Sequence, residues 1–322
     1  MTAPLLSVQN LTVDFTTRSG MLHVLEDVSF DIGAGEIVGI IGESGSGKSV
    51  TAYAVMGILD PAARIRSGRI AFEGTDVLQM DRRARDNWRG KEASIIFQNP
   101  RTALNPIRAV GDQIADVIAR HTPARAAEVR ARTIATLKQV QIPDPERRMA
   151  AFPFELSSGL CQRIGIAIAL ACAPKLLIAD EPTTGLDVTT QAAIMDLICA
   201  LARERSMSVA LITHDLALAS EYCDRIVILH AGHVVETART ADVISCPSHP
   251  YTAQLLRSVP SLVDRIDELQ AIDGSLPDLR RADLPPCRFA ERCDRRLPAC
   301  DAGKPEAAPV GPGHTVACRN PL

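Results

Sequence analysis

Residues Gly42, Glu43, Ser44, Gly45, Ser46, Gly47, Lys48 and Ser49 complete the spacing G-x-x-x-x-G-K-[ST], with Val50 following. Glycines at those positions let backbone N–H groups turn inward around phosphate oxygens. Lys48 is then placed for the β- and γ-phosphates of a nucleotide, and the Ser49 hydroxyl for Mg²⁺. A second set of groups closes the apolar run LLIAD. Asp180 ends the run, where a carboxylate can hold Mg²⁺ beside Ser49. Glu181 follows directly, suited to orient and deprotonate an attacking water that lies within about 3 Å. Together these residues predict nucleotide triphosphate chemistry.

The elements that must position them can be read from hydrophobic periodicity. EIVGII, residues 36–41, is a compact apolar run of the kind that fills a central strand, and the glycine loop after it opens a helix. KLLIAD at 175–180 and SVALITH at 208–214 are two further buried-strand candidates. A helical stretch containing QAAIMDLICALARE separates them. This βαβ rhythm predicts a parallel sheet. Ahead of it, SVQNLTVDF and VLEDVSFDI alternate apolar and polar residues as antiparallel strands do, with TTRSG as their turn. Residues 107–142 are helix-like, with IPDP as a stop. Beyond about residue 245 proline becomes frequent and periodicity fades.

Bulk properties narrow the class. The 322 residues are 46% hydrophobic and 23% charged, enough for a sizeable core. A formal net charge of −3 argues against a nucleic-acid partner. The longest apolar run, IGIAIALACA at 164–173, is far short of the roughly 20 residues that span a bilayer. MTAPLLSVQN lacks a basic region and a long apolar stretch, so a cytoplasmic location is expected. There the nine cysteines should stay reduced. The basic stretch DRRARDNWRGK reads as a solvated face, and Cys172, Cys199 and Cys223 as small core residues.

GESGSGKS, Gln98 in IIFQNP, LSSGLCQR, LLIADEPTTGLD and His214 in LITHD occur in the order and approximate spacing of the nucleotide-binding subunits of ABC transporters. The resemblance runs from about residue 5 to 245 and is far more specific than a lone phosphate loop. It implies an α/β fold, a P-loop NTPase (ABC ATPase) core with an antiparallel β subdomain and an α-helical subdomain, plus a loop-rich, cysteine-containing C-terminal extension. The expected boundaries are 1–98 and 166–245 for the core, 99–165 for the helical signature subdomain and 246–322 for the extension. The implied activity is ATP hydrolysis. Gln98 would touch Mg²⁺ or the attacking water, His214 the γ-phosphate, and Phe15 the adenine ring; Phe15 also suits a core aromatic. Ser157, Gly159 and Asp187 would act on the ATP of a facing subunit.

Finer likeness, in IIFQNPRTALNP, VQIPDP, FPFELSSG and SHPYTAQLL, is to the dipeptide and oligopeptide importer branch, with nickel and glutathione importers close by. That implies two integral-membrane permease subunits, a second ATP-binding subunit in a heterodimer, a solute-binding protein outside the membrane, and a peripheral position on the cytoplasmic face of the inner membrane. A soluble non-transport ATPase would carry fused cassettes or a coiled coil, which this chain lacks. Cys287, Cys293 and Cys300 form C-x5-C-x6-C, with Cys318 beyond. This resembles the branch's C-terminal extension, whose cysteines can hold an iron–sulfur cluster, and four thiolates are the ligand count of [4Fe–4S]. A zinc site would more often use C-x₂₋₄-C spacing, and a metal-free tail stays open. In the family's LSGGQ-like loop Ser158 replaces the first glycine. The replacement should cost about 1 kcal/mol if that residue must take φ > 0. Cys161 is expected on the helix behind the loop.

Overall fold

The structure, a computed structural model, describes residues 3–18, 20–262 and 270–322. Two compact units divide the chain. The first comprises Met1–Gly33, Ile37–Leu78 and Leu211–Leu322; the second comprises Ala34–Glu36 and Gln79–Ala210.

In the first unit β1 (Leu6–Thr17) and β2 (Gly20–Ile32) are antiparallel, with Leu6 opposite Ile32 and Phe15 opposite Leu22. A register shift between Val8 and Leu11 lets both stay buried although strict alternation breaks between them. At the expected turn the Thr17 hydroxyl donates to the Gly20 carbonyl; Ser19 lies outside the described residues. β3 (Ile37–Ile41) is buried along its whole length and feeds the glycine loop into α1 (Lys48–Met56). β4 (Ala63–Phe72) and β5 (Thr75–Asp76) complete an antiparallel sheet of order β2-β1-β4-β5.

The second unit holds α2 (Arg82–Trp88), β6 (Ala93–Ile96), α3 (Pro100–Ala103), α4 (Val110–His121), α5 (Ala126–Gln139), α6 (Pro145–Arg148), α7 (Ser158–Leu170), β7 (Leu176–Asp180) and α8 (Val188–Arg205). The helix-like stretch 107–142 is divided at Pro123, because proline disfavours helical backbone in the residue before it. α4 ends at His121 with Thr122 as its C-cap, and the Arg125 N–H donates to Glu128 to start α5. Val110, Ile114 and Ile118 of α4 are fully buried at helical spacing. β6 and β7 pair in parallel, Ala93 opposite Leu176 and Ile96 opposite Ala179.

β8 (Ser208–Thr213) carries the chain back to the first unit. There α9 (Leu216–Tyr222), β9 (Arg225–His230), β10 (His233–Arg239), α10 (Thr240–Ser245) and α11 (Pro250–Arg257) follow. β9 pairs in parallel with β3 and antiparallel with β10. The tail is loop-rich over 270–307 but ends in a hairpin, β11 (Ala308–Gly311) and β12 (His314–Val316), whose second strand pairs with β10. Among the described residues no helix is long and apolar enough to cross a membrane.

Candidate functional site

The phosphate-loop geometry follows from its glycines. Gly45 and Gly47 have φ of 85° and 104°, in the region where a side chain is strained, and Gly47 is the N-cap of α1. A Cβ on Gly42 would stand 2.0 Å from the Leu229 carbonyl oxygen, and one on Gly47 2.5 Å from Leu25 Cδ2. No other residue fits either place. Lys48, 5% exposed, points back into the loop and donates to the carbonyls of Gly42 at 2.7 Å and Glu43 at 2.9 Å. The Glu43 carbonyl also accepts from the Ser46 N–H at 3.1 Å. Ser46 Oγ is buried without a hydrogen-bond partner, while Ser44 is exposed and Ser49 and Val50 are half-buried. A loop bent this way over a helix N-terminus suits a phosphate chain. In the same unit His214 is exposed just beyond β8, and Phe15 is half-buried on β1.

In the second unit β7 delivers Asp180, fully buried, and then Glu181 at φ 46°. Left-handed backbone at a non-glycine residue is strained and persists only where the surroundings hold it. Glu181 Oε2 accepts from Gln98 Nε2 at 2.7 Å and from Thr184 Oγ1 at 2.8 Å. Gln98 and Glu181, 83 residues apart, are thus brought within hydrogen-bond distance. Thr184 is a partner that motif reading passed over, although its hydroxyl three residues after the carboxylate was the available signal. Oxygen donors such as Asp180, Ser49 and the Gln98 amide have the hard character that Mg²⁺ prefers.

The signature stretch LSSGLCQR is helical from its third residue, Ser158. Ser157 is the N-cap of α7 and its hydroxyl accepts from the Leu160 N–H at 3.3 Å. Ser158 is the first helical residue and is not among those with positive φ. The strain cost tied to a left-handed Ser158 therefore does not arise. A Cβ on Gly159 would lie 3.2 Å from Thr190 Cγ2, so a side chain there would crowd α8. Asp187 caps α8, accepting from the Thr190 N–H and hydroxyl at 3.0 and 2.7 Å. Those bonds hold its carboxyl below the usual range. Cys161 is fully buried behind the loop, as expected, with its thiol donating to the Pro153 carbonyl.

In the tail the thiols of Cys287, Cys293, Cys300 and Cys318 are free. Burial pushes Cys287 up to about 11, and the neighbouring Cys300, Cys318 and Cys293 add to the rise. Burial also raises Cys293 and Cys318. Cys287, Cys293 and Cys318 thus favour the protonated form. Among the described residues no group of three or more His, Cys, Asp or Glu is placed to hold a metal ion.

The ABC transporter family model matches residues 25–184, and the model for the oligopeptide/dipeptide transporter C-terminal region matches 235–300. A dipeptide transport ATP-binding protein of Bacillus subtilis is 44% identical over 314 residues, covering 97% of this chain and 93% of the relative. The chain belongs to the ABC transporter ATP-binding proteins. The dipeptide transport ATP-binding protein of Escherichia coli is 41% identical over 319 residues, covering 99% and 97%. Among solved structures, a dimeric ATP-binding cassette bound to ADP and phosphate matches this ABC protein with a TM-score of 0.66 at 26% identity. It covers 73% of this chain and 98% of that one. As a member of this family the protein binds and hydrolyses ATP.

Proposed function

We propose that this ATPase energises uptake of short peptides through separate permease subunits, with a second ATP-binding subunit facing it and a solute-binding protein supplying cargo. The cargo class is supported by the match over 235–300 and by the names of the relatives in Bacillus and Escherichia. Two permeases would place the protein at the cytoplasmic face of the membrane. The one observation that carries the catalytic reading is the Glu181 carboxylate, held at one oxygen by both Gln98 and Thr184.

In this reading Glu181 accepts the proton of the attacking water, and Gln98 fixes where the carboxylate points. Lys48 and the N–H groups of Gly45, Gly47 and Ser49 bind phosphate oxygens, and His214 meets the γ-phosphate. Phe15 stacks on adenine. Ser49, Asp180 and Gln98 would hold Mg²⁺, which supplies charge neutralisation at the β- and γ-phosphates. Ser157, Gly159 and Asp187 serve the nucleotide held by the facing subunit. Glu181→Gln should bind MgATP while hydrolysis in the assembled transporter falls at least about 100-fold. Undiminished hydrolysis would remove Glu181 from its role. Uptake of labelled dipeptide, nickel and glutathione in a strain lacking the gene tests the cargo: loss of dipeptide uptake is expected, and loss of nickel uptake alone would overturn it.

For the tail we infer a [4Fe–4S] site at Cys287, Cys293, Cys300 and Cys318, supported by the ligand count of four free thiols within 32 residues of sequence. Ligation would require the thiols to lose their protons and draw closer, so the folded tail and the metal would form together. Anaerobically purified protein should contain iron and labile sulfide; iron-free protein with Cys293→Ser equally stable would overturn the assignment.

A further inference from the structure

The segment from Cys287 to Cys293 carries three side chains that each grip the nucleotide-binding core. Arg288, 5% exposed, donates to the carbonyls of His23 and Ala231 and to the Glu26 carboxylate. Phe289, 1% exposed, packs its ring 5.2 Å from that of His230 and 5.3 Å from that of Tyr251. The Tyr251 hydroxyl in turn accepts from the Glu43 N–H at 3.1 Å. Arg292 places Nη1 3.1 Å from both carboxylate oxygens of Glu43, while its Nε donates to the Asp273 carbonyl at 2.9 Å. Leu276 closes over the loop as well, 3.5 Å from where a Cβ on Gly45 would be.

Glu43 is therefore held at its N–H by Tyr251, at its carbonyl by Lys48 and at its carboxylate by Arg292. Its position is electrostatically awkward. It follows Gly42 in a loop built to receive a polyanion, and its side chain is 26% exposed while that of Arg292 is 6% exposed. In so sheltered a setting an uncompensated carboxylate would repel phosphate oxygens strongly, and a buried guanidinium cancels that field. We propose that Arg292 is a positioning residue that neutralises and anchors Glu43, so that the Cys287–Cys293 segment sets how tightly the phosphate loop holds nucleotide. The proposal rests on the reading of residues 42–49 as the phosphate-binding loop.

The test is isothermal titration of the purified full chain with MgATP. Arg292→Gln should raise Kd about tenfold, because the lost cation leaves Glu43 facing the phosphates. Glu43→Gln should bind about threefold more tightly than the native chain, since Arg292 then adds an uncompensated positive charge. The double variant should return Kd to within about threefold of native. That rescue separates a charge role from mere loss of tail structure. Arg292→Gln binding like native, or a double variant as weak as Arg292→Gln alone, would overturn the proposal. Should Arg292→Gln fail to fold, Glu43→Gln decides: tighter binding supports the assignment, and equal or weaker binding overturns it. Lys48→Ala is the control. If it too binds like native, the phosphate-loop reading fails and the proposal with it; if only Lys48→Ala weakens binding, Arg292 alone is misassigned.

Discussion

Glu181 owes its geometry to two neighbours of different kinds. Gln98 comes from a distant loop and Thr184 from one turn downstream, and both donate to the same oxygen. Removing one donor should let the carboxylate swing without discharging it. Thr184→Ala is therefore expected to lower the hydrolysis rate of the assembled transporter about tenfold with MgATP affinity retained, a split that single-turnover assays and nucleotide titration would measure. At Ser158 the expectation runs the other way. The residue already has helical backbone, so Ser158→Gly relieves nothing, and glycine in the first turn should cost up to about 0.5 kcal/mol of stability with hydrolysis unchanged. Thermal melting and ATPase rates of the variant check both halves; a faster enzyme would mean that the serine does restrict the loop.

Among the elements, strand–loop–helix units were the most legible from sequence because their signals are local. EIVGII, the glycine loop and α1 follow one another without a gap, and LLIAD ends on its carboxylate in the same way. The glycine positions can be checked by substitution. Gly42→Ala should abolish nucleotide binding or destabilise the fold, because its Cβ would overlap the Leu229 carbonyl with only backbone to give way. The docking of the tail had no comparable signal. Arg292 and Glu43 are 249 residues apart, and neither stands out in its own stretch. Three histidines around that dock were equally silent. Burial lowers His230 and His249 to about 3 and His233 to about 4, with Arg292 assisting at His230 and Glu26 opposing the shift at His233. Unfolded, each would take up a proton near its ordinary 6.5. Their contribution to stability is thus complete above that value and is lost as the pH falls toward 3–4, by up to about 2 kcal/mol per histidine at pH 5. Melting temperature should drop on acidification from about pH 7.5 to about pH 5, and His230→Phe should flatten the decline. A flat native profile would show that these rings are not held neutral.

At the scale of the whole molecule, the first unit takes the chain's start, the phosphate loop and the tail together, although 132 residues of the second unit intervene between Leu78 and Leu211. The closing hairpin illustrates what that arrangement demands. β12 pairs with β10 at Glu236 and Thr237, and the Ala317 N–H extends the ladder to the Val235 carbonyl. The buried Glu236 carboxylate there accepts from His314 and from the N–H groups of Ser248 and His249. Deleting residues 307–322 would strip this cover and leave β10 with a bare row of amides and carbonyls. Such a rim invites pairing between molecules. The shortened chain should form concentration-dependent oligomers by light scattering where the full chain stays dispersed. The closing hairpin would then act as a cover for the edge of β10 as well as an anchor for the tail.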